Sequence, residues 1–208
     1  MSGDLVGGRY PLTYPFSKAL GLPSNAVQGN IAVRSNLEYT GINDLTDAAA
    51  ALVSGKLTYV PVPVEVGDCI SKVSVLVGGT AASTPTHSWA ALYSGALTTA
   101  ALLGSQSTDG TTAVIAASGR FDFTLGSKYI IQPADAPYGY VLAAVSVTGT
   151  AVPSLASVAV ATALQYAWFT DTPLFGATYG SALGASAPSS LTLASASALA
   201  TPPAVFLS

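Results

Sequence analysis

From Lys56 onward, apolar and polar residues alternate with a period of two. Val60, Val62, Val64 and Val66 fall on one face of an extended segment, with Tyr59, Pro61, Pro63 and Glu65 on the other. The pattern predicts a β-strand, and its two prolines restrict it to an edge or to one-sided pairing. Gly67-Asp68 marks a turn, after which Val73, Val75 and Val77 alternate again. His87, Trp89, Ala91 and Tyr93 alternate next, then a segment over 102–106, then Phe121, Phe123 and Leu125. Val141, Ala143, Val145 and Val147 also alternate, but Leu142 and Ala144 between them are apolar too. A strand apolar on both faces sits centrally or against another subunit. Short strands separated by Gly, Pro and Asp turns predict a mainly-β chain, an antiparallel sandwich or barrel, with a jelly-roll-like β-sandwich over residues 56–208 the expected form. Residues 176–208 are rich in Ala, Ser, Thr and Gly, but end in Pro202-Pro203-Ala204-Val205-Phe206-Leu207, which reads as a closing strand.

Residues 1–55 follow another pattern. Arg9-Tyr10-Pro11-Leu12-Thr13-Tyr14-Pro15-Phe16 interleaves prolines with large side chains. Residues before proline are held extended, so this ribbon cannot build a core of its own. It reads as an attachment arm whose Arg9, Tyr10, Tyr14 and Phe16 are the anchors. Near its end, Asn43 or Asp44 can cap a helix that four alanines propagate and Gly55 closes. One short helix over 44–54 is the expectation.

Composition narrows the function. Half of the 208 residues are hydrophobic and only 8% are charged, against roughly 25% in an average globular protein. No Asp, Glu, Lys or Arg follows Asp171. Interface cores are depleted of charge, so the expectation is a surface shared with other subunits. A net charge of −3 leaves no basic surplus for phosphates, which argues against nucleic acid as a partner. The uncharged stretch 136–170 is interrupted by Gly139, Gly149 and Pro153, so no membrane span is expected. The first residues have neither a basic nor an apolar signal region, and folding in a cytoplasm is expected.

Catalytic signals are sparse. One His and one Cys preclude a Cys/His metal cluster within one chain. His87 lies in a strand-like segment beside Trp89 and reads as a packed or surface histidine, and Cys69 as a structural thiol. Asp68, Asp109 and Asp135 sit in turns, where Asp bonds the backbone. No nucleophile elbow, Walker A or dinucleotide fingerprint occurs. The expectation is a non-enzymatic protein with no cofactor and no metal. Aromatic residues offer one binding chemistry. Trp89, Tyr138 and Tyr140 are candidate glycan contacts, with Tyr138-Gly139-Tyr140 the best placed, just before a strong strand.

Ile70-Ser71-Lys72-Val73-Ser74-Val75-Leu76-Val77-Gly78, Thr86-His87-Ser88-Trp89-Ala90-Ala91-Leu92-Tyr93-Ser94, Leu102 to Thr108, Tyr140 to Val145 and Thr150 to Leu155 together resemble a small β-domain of tailed-bacteriophage virion proteins, especially those of actinobacteriophages. The resemblance covers about residues 56–208. It implies a structural virion protein, as a capsid decoration protein, head fibre, minor tail protein or tail-fibre component. The implied partners are the major capsid or tail protein and further copies of the chain, with a trimer the first expectation, and host-surface glycans in a receptor-binding role.

Overall fold

The computed structural model describes residues 34–36, 45–110, 115, 117–158, 176–199 and 201–208, with the backbone alone for 45–51 and 158. These residues form a mainly-β domain of two antiparallel sheets, one of them curled into a half-barrel. Strands β1 (Arg34–Ser35), β2 (Leu45–Ala51), β4 (Cys69–Val77), β7 (Gly119–Ile130), β9 (Ser154–Val158) and β13 (Val205–Leu207) make a six-stranded sheet. Its path runs β1-β13-β4-β9-β2, and β7 pairs with β4. The seven-stranded sheet combines β3 (Leu57–Pro63), β5 (Ser83–Ser94), β6 (Thr99–Leu103), β8 (Tyr140–Ala151), β10 (Ala177–Tyr179), β11 (Ser190–Thr192) and β12 (Ser197–Ala198), in the order β11-β6-β5-β8-β3-β10-β12.

The alternating segments become these strands. Pro61 and Pro63 pair with Leu142 and Tyr140 of β8, whereas β10 meets β3 only at Leu57, Thr58 and Tyr59. Among the described residues, the prolines therefore lie where β3 has a partner on one side only, and their missing N–H groups are tolerated there. The closing strand forms as expected. β13 lies between β1 and β4, with Leu207 in register with both Arg34 and Val73.

The expected helix over 44–54 does not form. Leu45–Ala51 is a strand, antiparallel to β9, pairing Leu45 with Val158 and Ala51 with Ser154, with an irregularity between Thr46 and Ala50. Alanine favours helix over other ordinary residues by at most about 0.7 kcal/mol each, and so short a helix is marginal alone. Pairing with β9 satisfies main-chain groups on both strands, and that outweighs the local preference.

Two apolar clusters share the seven-stranded sheet. Val60, Val62, Leu92, Ala143, Val145 and Val147 point inward and meet Val73, Val75, Phe123, Leu155 and Val205 of the other sheet. On the opposite face Leu57, Tyr59, Trp89, Tyr93, Leu142 and Ala144 form a second buried cluster. Residues 177–199 cover it. Leu191 and Leu193 pack against it, and the sheet's polar tips bond to the carbonyls of this strap. Trp89 Nε1 donates to Gly184 O at 2.8 Å, Tyr93 Oη to Pro188 O at 2.9 Å, and Thr148 Oγ1 to Leu183 O at 3.0 Å. Gln106 Nε2 donates to Ala185 O at 2.8 Å, and its Oε1 accepts from Ala187 N. The small residues that made this segment look featureless let its backbone approach the sheet.

The hydroxyls of this second cluster differ in consequence. Tyr93 has a partner, whereas Tyr59 Oη is buried without one among the described residues. Tyr93→Phe should therefore cost about 1 kcal/mol, while Tyr59→Phe should be neutral or slightly stabilising. Urea unfolding followed by tryptophan fluorescence checks both. Equal losses in the two variants would contradict the strap's hydrogen bonds.

Candidate functional site

One end of the domain is built from three connections. The β3–β4 turn is tied to the β7–β8 loop by Gly67 N–H to Ile131 O and Ile131 N–H to Asp68 O, both 2.9 Å, and by Val64 N–H to Gly139 O at 3.1 Å. The β5–β6 turn joins through Gly95 N–H to Asp135 O at 2.7 Å. A Cβ on Gly95 would lie 1.9 Å from Tyr140 O, so only glycine permits this approach. Gly139 has φ +77°, which turns the chain sharply between Tyr138 and Tyr140.

Side chains fix the same end. Asp68 Oδ2 accepts from Arg34 Nε and from Glu65 N, each at 2.9 Å, and Oδ1 accepts from Arg34 Nη2 at 3.3 Å. Both Arg34 and Asp68 are nearly buried, so the forked pair is strong. Asp135 Oδ2 accepts from Gln132 N at 2.8 Å and from Tyr129 Oη at 2.9 Å. The Tyr129 phenol is pushed up to about 12 by desolvation first, then by its bond to Asp135 and that carboxylate's charge.

These connections, with the adjoining end of β7, carry Val66, Leu97, Ile130 and Tyr138, which are between 47% and 60% exposed. They are four of the five exposed large hydrophobic side chains of the described residues; Val53 is the fifth. Tyr138 stacks on Tyr140, with ring centroids 6.4 Å apart and planes 25° apart. Tyr140 is partly buried and its hydroxyl donates to Ala96 O at 3.4 Å. The structure thus brings Tyr138 and Tyr140 together at an apolar loop end. It places Trp89 in the second core, with no exposed surface. Among the described residues, an aromatic platform here consists of Tyr138 and Tyr140. Arg9, Tyr10, Tyr14 and Phe16 lie outside the described residues.

A second constellation lies on β5. His87 Nδ1 is 2.7 Å from Asp109 Oδ2, while Asp109 Oδ1 accepts from Ser88 N at 2.8 Å. Ser88 Oγ donates to Gly110 O at 2.7 Å. Asp109 therefore fastens the turn at 108–110 to β5 and orients the imidazole. Among the described residues no hydroxyl or thiol bonds the other ring nitrogen, and no three His, Cys, Asp or Glu side chains gather. The dyad can hold a turn, and among the described residues no nucleophile completes it as a triad. Cys69 is half-buried in β4 opposite Ile130. No helix of the described residues is long and apolar enough to cross a membrane.

Neither the Arg34–Asp68 fork nor the His87–Asp109 pair was visible as a pair in the sequence. Their members are 34 and 22 residues apart. The Asp turns were the only local signal. No protein-family model and no curated protein matches the chain.

The raised Tyr129 pKa has a testable sign. The stabilisation it reports is full below pH 10 and is lost as pH rises through about 12. Asp135→Asn should bring the Tyr129 ionisation back toward 10, read as the absorbance difference at 295 nm against Tyr129→Phe. An unchanged titration would deny the bond its part in the shift.

Proposed function

We propose that this chain is a non-enzymatic structural protein of a tailed-bacteriophage virion. It is attached to the capsid, as a decoration protein or head fibre, or to the tail, and it displays its β-domain outward. The domain reads as a jelly-roll-like sandwich, and the assembled form as a homo-oligomer, with a trimer the working state. It is made in the host cytoplasm. The resemblance of residues 56–208 to virion β-domains supports this, as does the low charge.

The observation that carries it is the anchorage of residues 34–36. Arg34 is forked to Asp68. Asn36 is buried, donating from Nδ2 to Pro203 O at 2.8 Å and accepting Val205 N–H at Oδ1 at 2.9 Å. A pull on the preceding segment is thus passed directly into β13 and the six-stranded sheet. An attachment arm requires such a root. Incorporation of tagged protein into purified particles tests the proposal. Replacing Arg9, Tyr10, Tyr14 and Phe16 together by Ala should reduce incorporation at least about tenfold, which corresponds to roughly 1.4 kcal/mol of docking energy. Full occupancy by that variant, or absence of the unaltered chain from particles, refutes it.

The exposed Tyr138 stacked on Tyr140 favours a second reading, a minor tail or fibre protein whose loop end binds host carbohydrate. Aromatic faces bury the apolar faces of sugar rings. On a glycan array, a hit should weaken at least about tenfold in Tyr138→Ala, again roughly 1.4 kcal/mol. No hit, or equal binding by the variant, removes this reading.

A further inference from the structure

Residues 34–36 meet a strand that the chain supplies much later, since Asn36 and Val205 are 169 residues apart. The two sides of this contact are held unequally. β13 has two seats to which residues 34–36 contribute nothing. On β4, Val205, Phe206 and Leu207 lie in register with Val75, Ser74 and Val73. Just beyond, Ser208 N–H donates to Lys72 O at 3.2 Å, and Ser208 O accepts from the N–H groups of Ser71 and Lys72, both at 2.7 Å. On β9, Ala204 N–H donates to Ala156 O at 2.9 Å, and Pro203 forms a bridge with Ser157. Val205 and Leu207 are also buried in the core between the sheets. Burial and main-chain bonds together hold β13 without help from β1.

Residues 34–36 depend on β13 in a way that β13 does not depend on them. β1 is two residues long, and the Asn36 side chain prolongs its ladder. Asn36 N–H donates to Val205 O at 3.4 Å, its Oδ1 accepts Val205 N–H at 2.9 Å, and its Nδ2 donates to Pro203 O at 2.8 Å. The carboxamide thus acts as an extra peptide group. Asn36 is only 2% exposed, so docking strips its amide of water. Only residues 203–205, already in place, supply the replacement bonds, and a buried amide without them is strongly disfavoured. The fork from Arg34 to Asp68 steers the segment to this end of the domain, but it does nothing for the carboxamide.

We propose that this contact is a one-way latch. β13 seats first on β4 and β9, residues 34–36 then dock onto it, and they can undock while β13 stays. The coupling does not depend on the attachment role. If that role holds, a pull reaches only a domain that has already closed.

Two neighbouring amides of the full-length chain read the latch. Ser208 N–H faces β4. Main-chain groups alternate sides along a strand, so Leu207 N–H faces β1 and Phe206 N–H faces β4. In hydrogen exchange, Asn36→Ala should speed the Leu207 amide at least about tenfold and leave Ser208 protected. Phe206→Pro removes a donor toward β4 and should speed both amides at least about tenfold, with the β8 amides still protected. An unchanged Leu207 amide in Asn36→Ala, or a Ser208 amide that speeds along with it, overturns the proposal. So does a Leu207 amide that stays protected in Phe206→Pro while Ser208 exchanges, because the two strands then leave as a pair. Should Phe206→Pro also expose the β8 amides, it has not folded, and a urea series on the unaltered chain below its global transition decides. There Leu207 should lose protection at or before the concentration at which Ser208 does, and the reverse order refutes the latch.

Discussion

Strands β5 and β8 carry apolar side chains on both faces, so water must be excluded from two sides of one sheet. The six-stranded sheet covers the first side. The second side is sealed by residues 177–199, whose carbonyls accept the indole, phenol, hydroxyl and amide donors projecting from the sheet. Each large side chain fully buried in this way contributes about 1.5–3 kcal/mol, and each polar tip needs a partner to avoid a comparable loss. The strap meets both needs at once.

This covering changes what the composition means. An apolar second face on Val141 to Val147 is equally consistent with a central strand and with a subunit contact. Here the chain covers that face itself, so the face offers no separate argument for oligomerisation. The scarcity of charge has a second physical source. A segment such as 177–199 must lie close against aromatic rings, and it does so with Ala, Ser, Gly and Leu rather than with long charged side chains. The exposed apolar residues left over are concentrated at the loop end, with Val66, Leu97, Ile130 and Tyr138 on interlocked connections.

The few charges are used where the chain must be held in place. Arg34 and Asp68 join β1 to the β3–β4 turn. Asp109 ties its own turn to β5. On β7, Asp122 loses solvation, but hydrogen bonds from Arg120 and Ser74 and the charges of Arg120 and Lys72 outweigh that loss and hold its carboxyl below the ordinary range. In a chain so poor in ionic groups, these pairs fix register and loop position more than they add stability.

Period-two alternation by itself determined that the chain is mainly β, where β3, β4, β5, β7 and β8 run, and that the segment ending in Leu207 closes the fold. Side-chain direction alternates along any strand, so that information is local. Among the described residues the prolines of β3 likewise announced one-sided pairing at their own positions, because a missing N–H is a property of the residue. Leu45–Ala51 became a strand only because β9 offered it a partner, a preference that alanine does not encode. The burial of Trp89 and the meeting of Tyr138 with Tyr140 and of Arg34 with Asp68 were decided by tertiary structure. Each depends on which distant segment packs alongside, and residue spacing carries no record of that.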